Sequence, residues 1–354
     1  MKKRLIDFQK NTFTALSVGD GLKWPIPFLL PCEMNFLKVY IWISVIILMA
    51  CFPVVYFPSS AVAAGPGLEI LATTFPVFQI TRNIAAERTN VHVSLMIPPQ
   101  LGCPHDYGLT PRDMRKLSGA DVLVINGLGM EEFLGAPLEK ANANLKIIDS
   151  SAGIRDILRY SETERHEGHH HEEGPDGDHH AEPNPHLFAS PRMSALLAAG
   201  IADALSRIDP EGSKLYASNA KVYAERMKLL SDDFAALGRR LKNNRIITQH
   251  GVFDYLARDT GLHVVAVVQA HAGQEPSASE MLAIIETIRH EKAGAVFTEP
   301  QYPEKIGRTI AKEAGIPAAV LDPAASGPEN APLDYYDQIM RNNMKIIEKT
   351  LGTK

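Results

Sequence analysis

Two sets of four short apolar runs, with amphipathic stretches between them, constrain the fold of this chain more than any other feature. The first set covers 68–73, 91–97, 122–126 and 146–149; the second covers 245–248, 263–268, 295–298 and 318–321. Helical spacing separates them, for example over 110–117, 279–290 and 303–314. Strands that alternate with helices are joined by crossovers and build parallel sheets. The sequence therefore predicts an α/β protein with two similar lobes, each a parallel sheet with helical crossovers. A chain of 354 residues, 45% hydrophobic and 22% charged, has the length and composition for two modest domains.

One long rigid helix is predicted to join the lobes. Residues 191–241 carry no strand signal, and Pro210 interrupts their helical periodicity, because proline disfavours a helical conformation in the residue before it. From 211 onward Leu215, Tyr216, Ala220, Tyr223, Met227, Leu230, Phe234, Leu237 and Leu241 recur at spacings of three and four. Such a stripe lies on one helix face. About 30 residues at a rise of 1.5 Å span roughly 45 Å, long enough to brace both lobes and limit hinge motion. The predicted organisation is a signal region over 1–63, an N-terminal lobe over 64–210, a linking helix over 211–242 and a C-terminal lobe over 243–354.

The N-terminal region has its own pattern. Residues 39–57 are apolar throughout, long enough to cross a bilayer. Ala61-Val62-Ala63 follows with the small-x-small form of a signal-peptidase site, and Met34 to Lys38 makes a compact basic segment upstream. These features predict translation from Met34, cleavage near Ala63 and a periplasmic protein. An uncleaved membrane anchor at the cell surface is the alternative. Leu48-Met49-Ala50-Cys51 resembles a lipobox, although the apolar residues after Cys51 are unlike the polar chain that usually follows a lipidated cysteine. Cys32 and Cys51 precede Ala63, so the mature chain keeps Cys103 alone and has no intramolecular disulfide. With a net charge of −5, no nucleic-acid partner is expected.

Histidine placement points to metal. Of thirteen histidines, six fall in one run: His166, His169, His170, His171, His179 and His180. Neutral imidazole is the commonest protein metal ligand. The run belongs to a His/Gly/Asp/Glu segment over 162–182, which cannot bury a core and is predicted to be mobile. His166-Glu167-Gly168-His169-His170 spells the zinc-protease string H-E-x-x-H. That chemistry needs a helix that turns both histidines onto one ion. Here the string sits among Gly, Pro and Asp with no apolar face, so composition accounts for it.

Ligands of open parallel sheets bind beyond the carboxyl ends of the strands. The strand ends lead into a loop with Cys103 and His105, into Gln249-His250, and into Leu321-Asp322-Pro323. Asn184-Pro185-His186 forms a stiff turn just after the histidine run. Three histidines and one aspartate would make a four-coordinate N/O site suited to zinc, and imidazole-rich sets favour zinc over manganese. Each residue also has a plainer reading. His105 would cap the helix that starts near Thr110, Asp322 would form a turn before Pro323, and His250 would be a surface residue at a strand end. Cys103 is read as a bystander and His271 as a solvent-facing loop residue.

Several motifs occur in order: His105-Asp-Tyr-x-Leu-Thr-Pro-x-Asp113, Ala120-Asp121, Asn126-Gly127, Asn184-Pro185-His186 with Ser190-Pro191, Thr298-Glu299-Pro300-Gln301, and Leu321-Asp322-Pro323. Over essentially the whole mature chain the sequence resembles the metal-specific solute-binding proteins of ABC transporters, in their zinc-uptake (ZnuA-type) branch. The resemblance implies two α/β lobes joined by a rigid helix, with one metal in the cleft held by His105, His186, His250 and Asp322. It implies Zn²⁺ as the ion, with Mn²⁺ or Fe²⁺ as the alternative, because a glutamate holds the place of His250 in the manganese branch. It also implies a membrane permease as partner, a monomeric carrier, and no enzymatic activity. Four protein ligands leave no open position for an activated water. The chain departs from some zinc-branch members at Pro104, where they carry a glutamate. The histidine run then reads as an auxiliary arm that gathers ions weakly beside His186. A periplasmic zinc buffer or chaperone is the competing role. Ligand imidazoles must be neutral, so affinity is expected to fall through roughly pH 6–5, near the reference histidine pKa.

Overall fold

A computed structural model of the chain describes residues 67–104, 107–160, 182–269 and 275–354. The signal region with Met34, the 48–51 motif, His105, His271, the six clustered histidines and the H-E-x-x-H string lie outside the described residues.

Every predicted apolar run becomes a strand. The first sheet contains β1 (Leu68–Ala72), β2 (Val91–Leu95), β3 (Val122–Ile125) and β4 (Lys146–Asp149), in the order β2-β1-β3-β4. The second contains β5 (Arg245–Thr248), β6 (His263–Val267), β7 (Ala295–Thr298) and β8 (Ala318–Val320), in the order β6-β5-β7-β8. All pairings are parallel. The central strands are the most covered, and all of β7 is buried, as expected when helices lie on both faces.

Crossover helices fill the gaps: α1 (Phe75–Ile84), α2 (Pro111–Gly119) and α3 (Gly135–Ala141) in the first lobe. The string Thr110-Pro111-x-Asp113 starts α2. Thr110 Oγ1 accepts from the Asp113 N–H, and Asp113 Oδ2 accepts from the Thr110 N–H at 2.9 Å. This reciprocal capping box satisfies two orphan donors, so Thr110 is the cap of α2.

The region between the lobes is a helical hairpin. Helix α4 (Pro191–Ile208) packs along α5 (Ser213–Arg240), with a 3-10 turn at Pro210–Gly212 where the proline interrupts the pattern. Asp209 locks this corner: its carboxylate accepts from the Arg88 guanidinium at 2.9 Å and from the Tyr216 hydroxyl at 2.6 Å. The 28 residues of α5 span about 42 Å. Its buried stripe is Tyr216, Tyr223, Met227, Leu230, Phe234 and Leu237, while Leu215 and Ala220 are half-buried. Helix α5 touches α1 of the first lobe, α6 (Asp254–Thr260) of the second, and the last helix. At Gly238 the approach to α6 is so close that a Cβ would lie 1.7 Å from the Thr260 carbonyl oxygen.

The second lobe adds α7 (Ala278–Glu291), α8 (Lys305–Ala314) and the closing helix α9 (Tyr335–Leu351). After β8 the chain returns to the first lobe before entering α9. The Gly327 N–H donates to the Pro99 carbonyl at 3.0 Å, the Arg82 guanidinium to Ala331 O at 2.6 Å, and Asn83 Nδ2 to Leu333 O at 3.0 Å. The α5 brace and this returning segment both tie the lobes together. Among the described residues no helix is long and apolar enough to cross a membrane.

Candidate metal site

Each sheet reverses its strand order at its centre, between β1 and β3 in one and between β5 and β7 in the other. Crevices at such points are the usual ligand sites of open α/β sheets. Beyond β5 the chain gives His250, and beyond β7 it gives Glu299; both are buried. His250 Nδ1 and Glu299 Oε1 are 2.6 Å apart. A carboxylate only accepts, so Nδ1 carries the proton and donates. Nε2 is then the nitrogen able to coordinate once it has lost its own proton.

His186 reaches the same place from a different direction. It is fully buried in the stiff turn Asn184-Pro185-His186, held to the centre of the first sheet by Asn126 Nδ2, which donates to Pro185 O at 2.9 Å. Asn184 organises the turn. Its Nδ2 donates to Gly251 O at 2.8 Å and to Asp254 Oδ2 at 2.9 Å, both in the second lobe. With the amide nitrogen so placed, Oδ1 is the acceptor for the His186 backbone N–H at 3.0 Å and for His186 Nδ1 at 2.9 Å. His186 therefore carries its proton on Nδ1 too, donated to Asn184 Oδ1 with the Tyr160 hydroxyl oxygen 3.2 Å from the same nitrogen as a second acceptor. Outer partners of this kind fix ring orientation in metal sites.

The two imidazoles stand edge to face with centroids 5.0 Å apart. Tyr160 and Phe188 flank His186, and Tyr302 flanks His250. These rings exclude water and strengthen electrostatic interactions inside the pocket. Cys103, from the loop after β2, completes a group with His186 and His250 in which one ligand atom of each lies within 4.8 Å of the others. Asp322 is not part of that group. It lies within electrostatic reach of Glu299. Its Oδ1 accepts from the Ala324 N–H at 2.8 Å, and its backbone is clamped by Asn343, whose Oδ1 accepts from the Asp322 N–H at 3.1 Å and whose Nδ2 donates to Asp322 O at 2.7 Å. The turn reading of Asp322 therefore holds, and the carboxylate also faces the charged pocket.

Charge in the pocket favours a cation. Burial alone would disfavour a protonated His250, but the Glu299 carboxylate and the Cys103 side chain outweigh it and raise the imidazole to about 10. Burial pushes the Cys103 thiol up, against the pull of His250. Burial also raises Asp322, opposed by the Ala324 N–H and reinforced by the charge of Glu299. A divalent ion would relieve the repulsion between the two carboxylates.

The profile of the family described as zinc-uptake complex component A, periplasmic (ZnuA), matches residues 70–350. The chain belongs to this family. Its members are solute-binding proteins, a non-enzymatic role. The zinc-binding lipoprotein AdcA of Streptococcus pneumoniae serotype 4 (strain ATCC BAA-334 / TIGR4) is 28% identical over 310 residues, covering 87% of this chain and 60% of that protein. The chain thus spans about 60% of the length of the AdcA relatives it matches. The high-affinity zinc uptake system protein ZnuA of Bacillus subtilis (strain 168) is 27% identical, covering 88% of this chain and 98% of that protein. A crystal structure of ZnuA superposes with a TM-score of 0.67 at 26% identity, covering 81% of this chain and all of that one. The solute-binding protein FpvC of Pseudomonas aeruginosa, solved with Mn²⁺, superposes with a TM-score of 0.66 at 26% identity, covering 80% of this chain and 98% of that one. The resemblance and the two-lobed α/β fold with its joining helix are borne out.

Of the sequence-predicted ligands among the described residues, the structure brings His186 and His250 together and leaves Asp322 outside the group they form with Cys103. Glu299 and Asn184 were visible only as motif letters without roles, and the aromatic walls Tyr160, Phe188 and Tyr302 carried no sequence signal. Cys103 has its sulfur within 4.8 Å of a ring nitrogen of each histidine of the pair.

Proposed function

We propose that this protein captures Zn²⁺ outside the inner membrane and delivers it to the permease of an ABC transporter. The observation that carries the reading is the pair of buried histidines from opposite sides of the cleft. Both have Nδ1 committed as donor to an outer partner, which turns the other ring nitrogen toward the pocket, with two carboxylates nearby. In this reading His105, His186, His250 and Asp322 hold the ion, and His166, His169, His170, His171, His179 and His180 form an auxiliary arm. The lobes 64–210 and 243–354 close on the ion, with 211–242 as the brace. The mature chain starts after Ala63 and works as a monomer in the periplasm, or at the cell surface if the leader remains as an anchor. The extracytoplasmic setting fits relatives that are lipoproteins or uptake components. Calorimetric titration of the reduced chain with Zn²⁺ and Mn²⁺ tests it. One tight zinc site with weaker Mn²⁺ binding is expected; tighter Mn²⁺ binding would move the protein to manganese uptake, and no tight site would end the carrier reading.

A further inference from the structure

The histidine–aspartate ligand set leaves one side chain of the pocket without a task. Cys103 is a free cysteine, partly buried and packed against the main core. Its loop is pressed into place from the opposite lobe. Gly102 has a φ of +79°, and a Cβ there would lie 2.7 Å from Gln301 Cγ. Gln301 is itself held by its Nε2, which donates to Ser326 Oγ at 2.8 Å. The contact sets Cys103 against His186 and His250, both nine-tenths or more buried, with ligand atoms no more than 4.8 Å apart.

We propose that Cys103 is a ligand of this pocket, its thiolate binding the same ion as Nε2 of His186 and His250. This rests on the metal-carrier reading and deepens it. Zinc–sulfur bonds of about 2.3 Å and zinc–nitrogen bonds of about 2.0 Å put tetrahedral donors roughly 3.3–3.6 Å apart. The group closes onto one ion with a shift of about 1 Å. On binding, the S–H bond breaks, its electron pair goes to the metal and its proton to solvent; no oxidant or reductant takes part. A soft sulfur donor beside imidazoles selects Zn²⁺, Cd²⁺ and Co²⁺ over Mn²⁺, which prefers oxygen.

The test is the spectrum of the reduced full chain loaded with Co²⁺, with and without Cys103→Ser. Expected in the unsubstituted protein are the visible d–d bands of a cobalt site with four or five protein donors together with a near-ultraviolet sulfur-to-cobalt charge-transfer band. Cys103→Ser is expected to lose the charge-transfer band, keep the d–d bands, and weaken Cd²⁺ binding more than Mn²⁺ binding. Visible bands without a charge-transfer band in the unsubstituted protein would overturn the ligand role and leave the carrier reading intact. Retention of the charge-transfer band in the variant would overturn it too. Absence of any cobalt bands would overturn the carrier reading itself. The spectrum of the unsubstituted protein decides the matter even if the variant does not fold.

Discussion

Glu299 is the residue whose replacement tests the pocket's design in most detail. It never needs to touch the ion. Its carboxylate accepts from His250 Nδ1 at 2.6 Å inside a buried pocket, a charge-assisted bond of the stronger kind. Removing an outer partner of a ligand histidine costs about 10–100-fold in metal affinity, or about 1.4–2.7 kcal/mol. The same carboxylate has an opposing effect. It helps raise His250 to about 10, so at pH 7 the entering ion must expel a proton held about three pKa units above ambient, on the order of 4 kcal/mol of competition. In Glu299→Ala burial pulls the imidazole pKa down and much of that competition disappears. The loss of affinity should therefore be largest at alkaline pH and shrink as pH falls. Between pH 7 and pH 10 the ratio of wild-type to variant affinity should rise by up to about one decade for each unit of rising pH, because binding displaces one proton in the wild type. Glu299→Gln keeps an acceptor and should fall between the two. The assay is competition with a chromophoric chelator across pH 7 to 10. A ratio that does not change with pH, or a variant that binds tighter at pH 10, would refute the reasoning.

Three further outcomes follow from the same contacts. Asn184→Ala removes an acceptor used twice by His186 and two donor bonds into the second lobe; urea denaturation should show a loss of roughly 3 kcal/mol, from stranded buried groups at about 1–3 kcal/mol each. Glu131 is buried and its pKa is raised by burial, against hydrogen bonds from Thr73, Asn126 and Gly127, from 4.5 to about 7. The folded state holds this proton more tightly than the unfolded one. Stability should thus decline as pH rises from about 4.5 through about 7, by on the order of 3 kcal/mol, and thermal melts of Glu131→Gln should lose that slope. Deleting 162–182 should leave one tight zinc site in a calorimetric titration and remove only weaker binding; loss of the tight site would show that the arm belongs to it.

The fold was legible because each strand carries a short apolar run between amphipathic stretches, and all eight runs became strands with ends within two residues. Pro210 marked its corner correctly, since proline starts the 3-10 turn between α4 and α5. The site was legible in part. Strand ends pointed to His250 and Asp322, and the stiff Asn-Pro-His turn to His186. What fixes them was hidden, because it depends on contacts between distant segments. Asn184 bonds Gly251 and Asp254, Gln301 presses on Gly102, and Glu299 meets His250 across 49 residues. No local pattern encodes such pairs. The same gap explains the expected pH range. A reference imidazole titrates near 6.5, whereas His250 beside Glu299 and Cys103 is raised to about 10. Proton competition at this ligand therefore extends well above pH 6.

The central claim is that buried histidines from two sides of the cleft hold one zinc ion. Metal content of the purified chain, measured by mass spectrometry beside His186→Ala and His250→Ala, tests it most directly. The expected result is one zinc per chain in the wild type and little or none in either variant, with both variants still folded by circular dichroism. Equal zinc in all three proteins, or a wild type that carries none after loading, would contradict it.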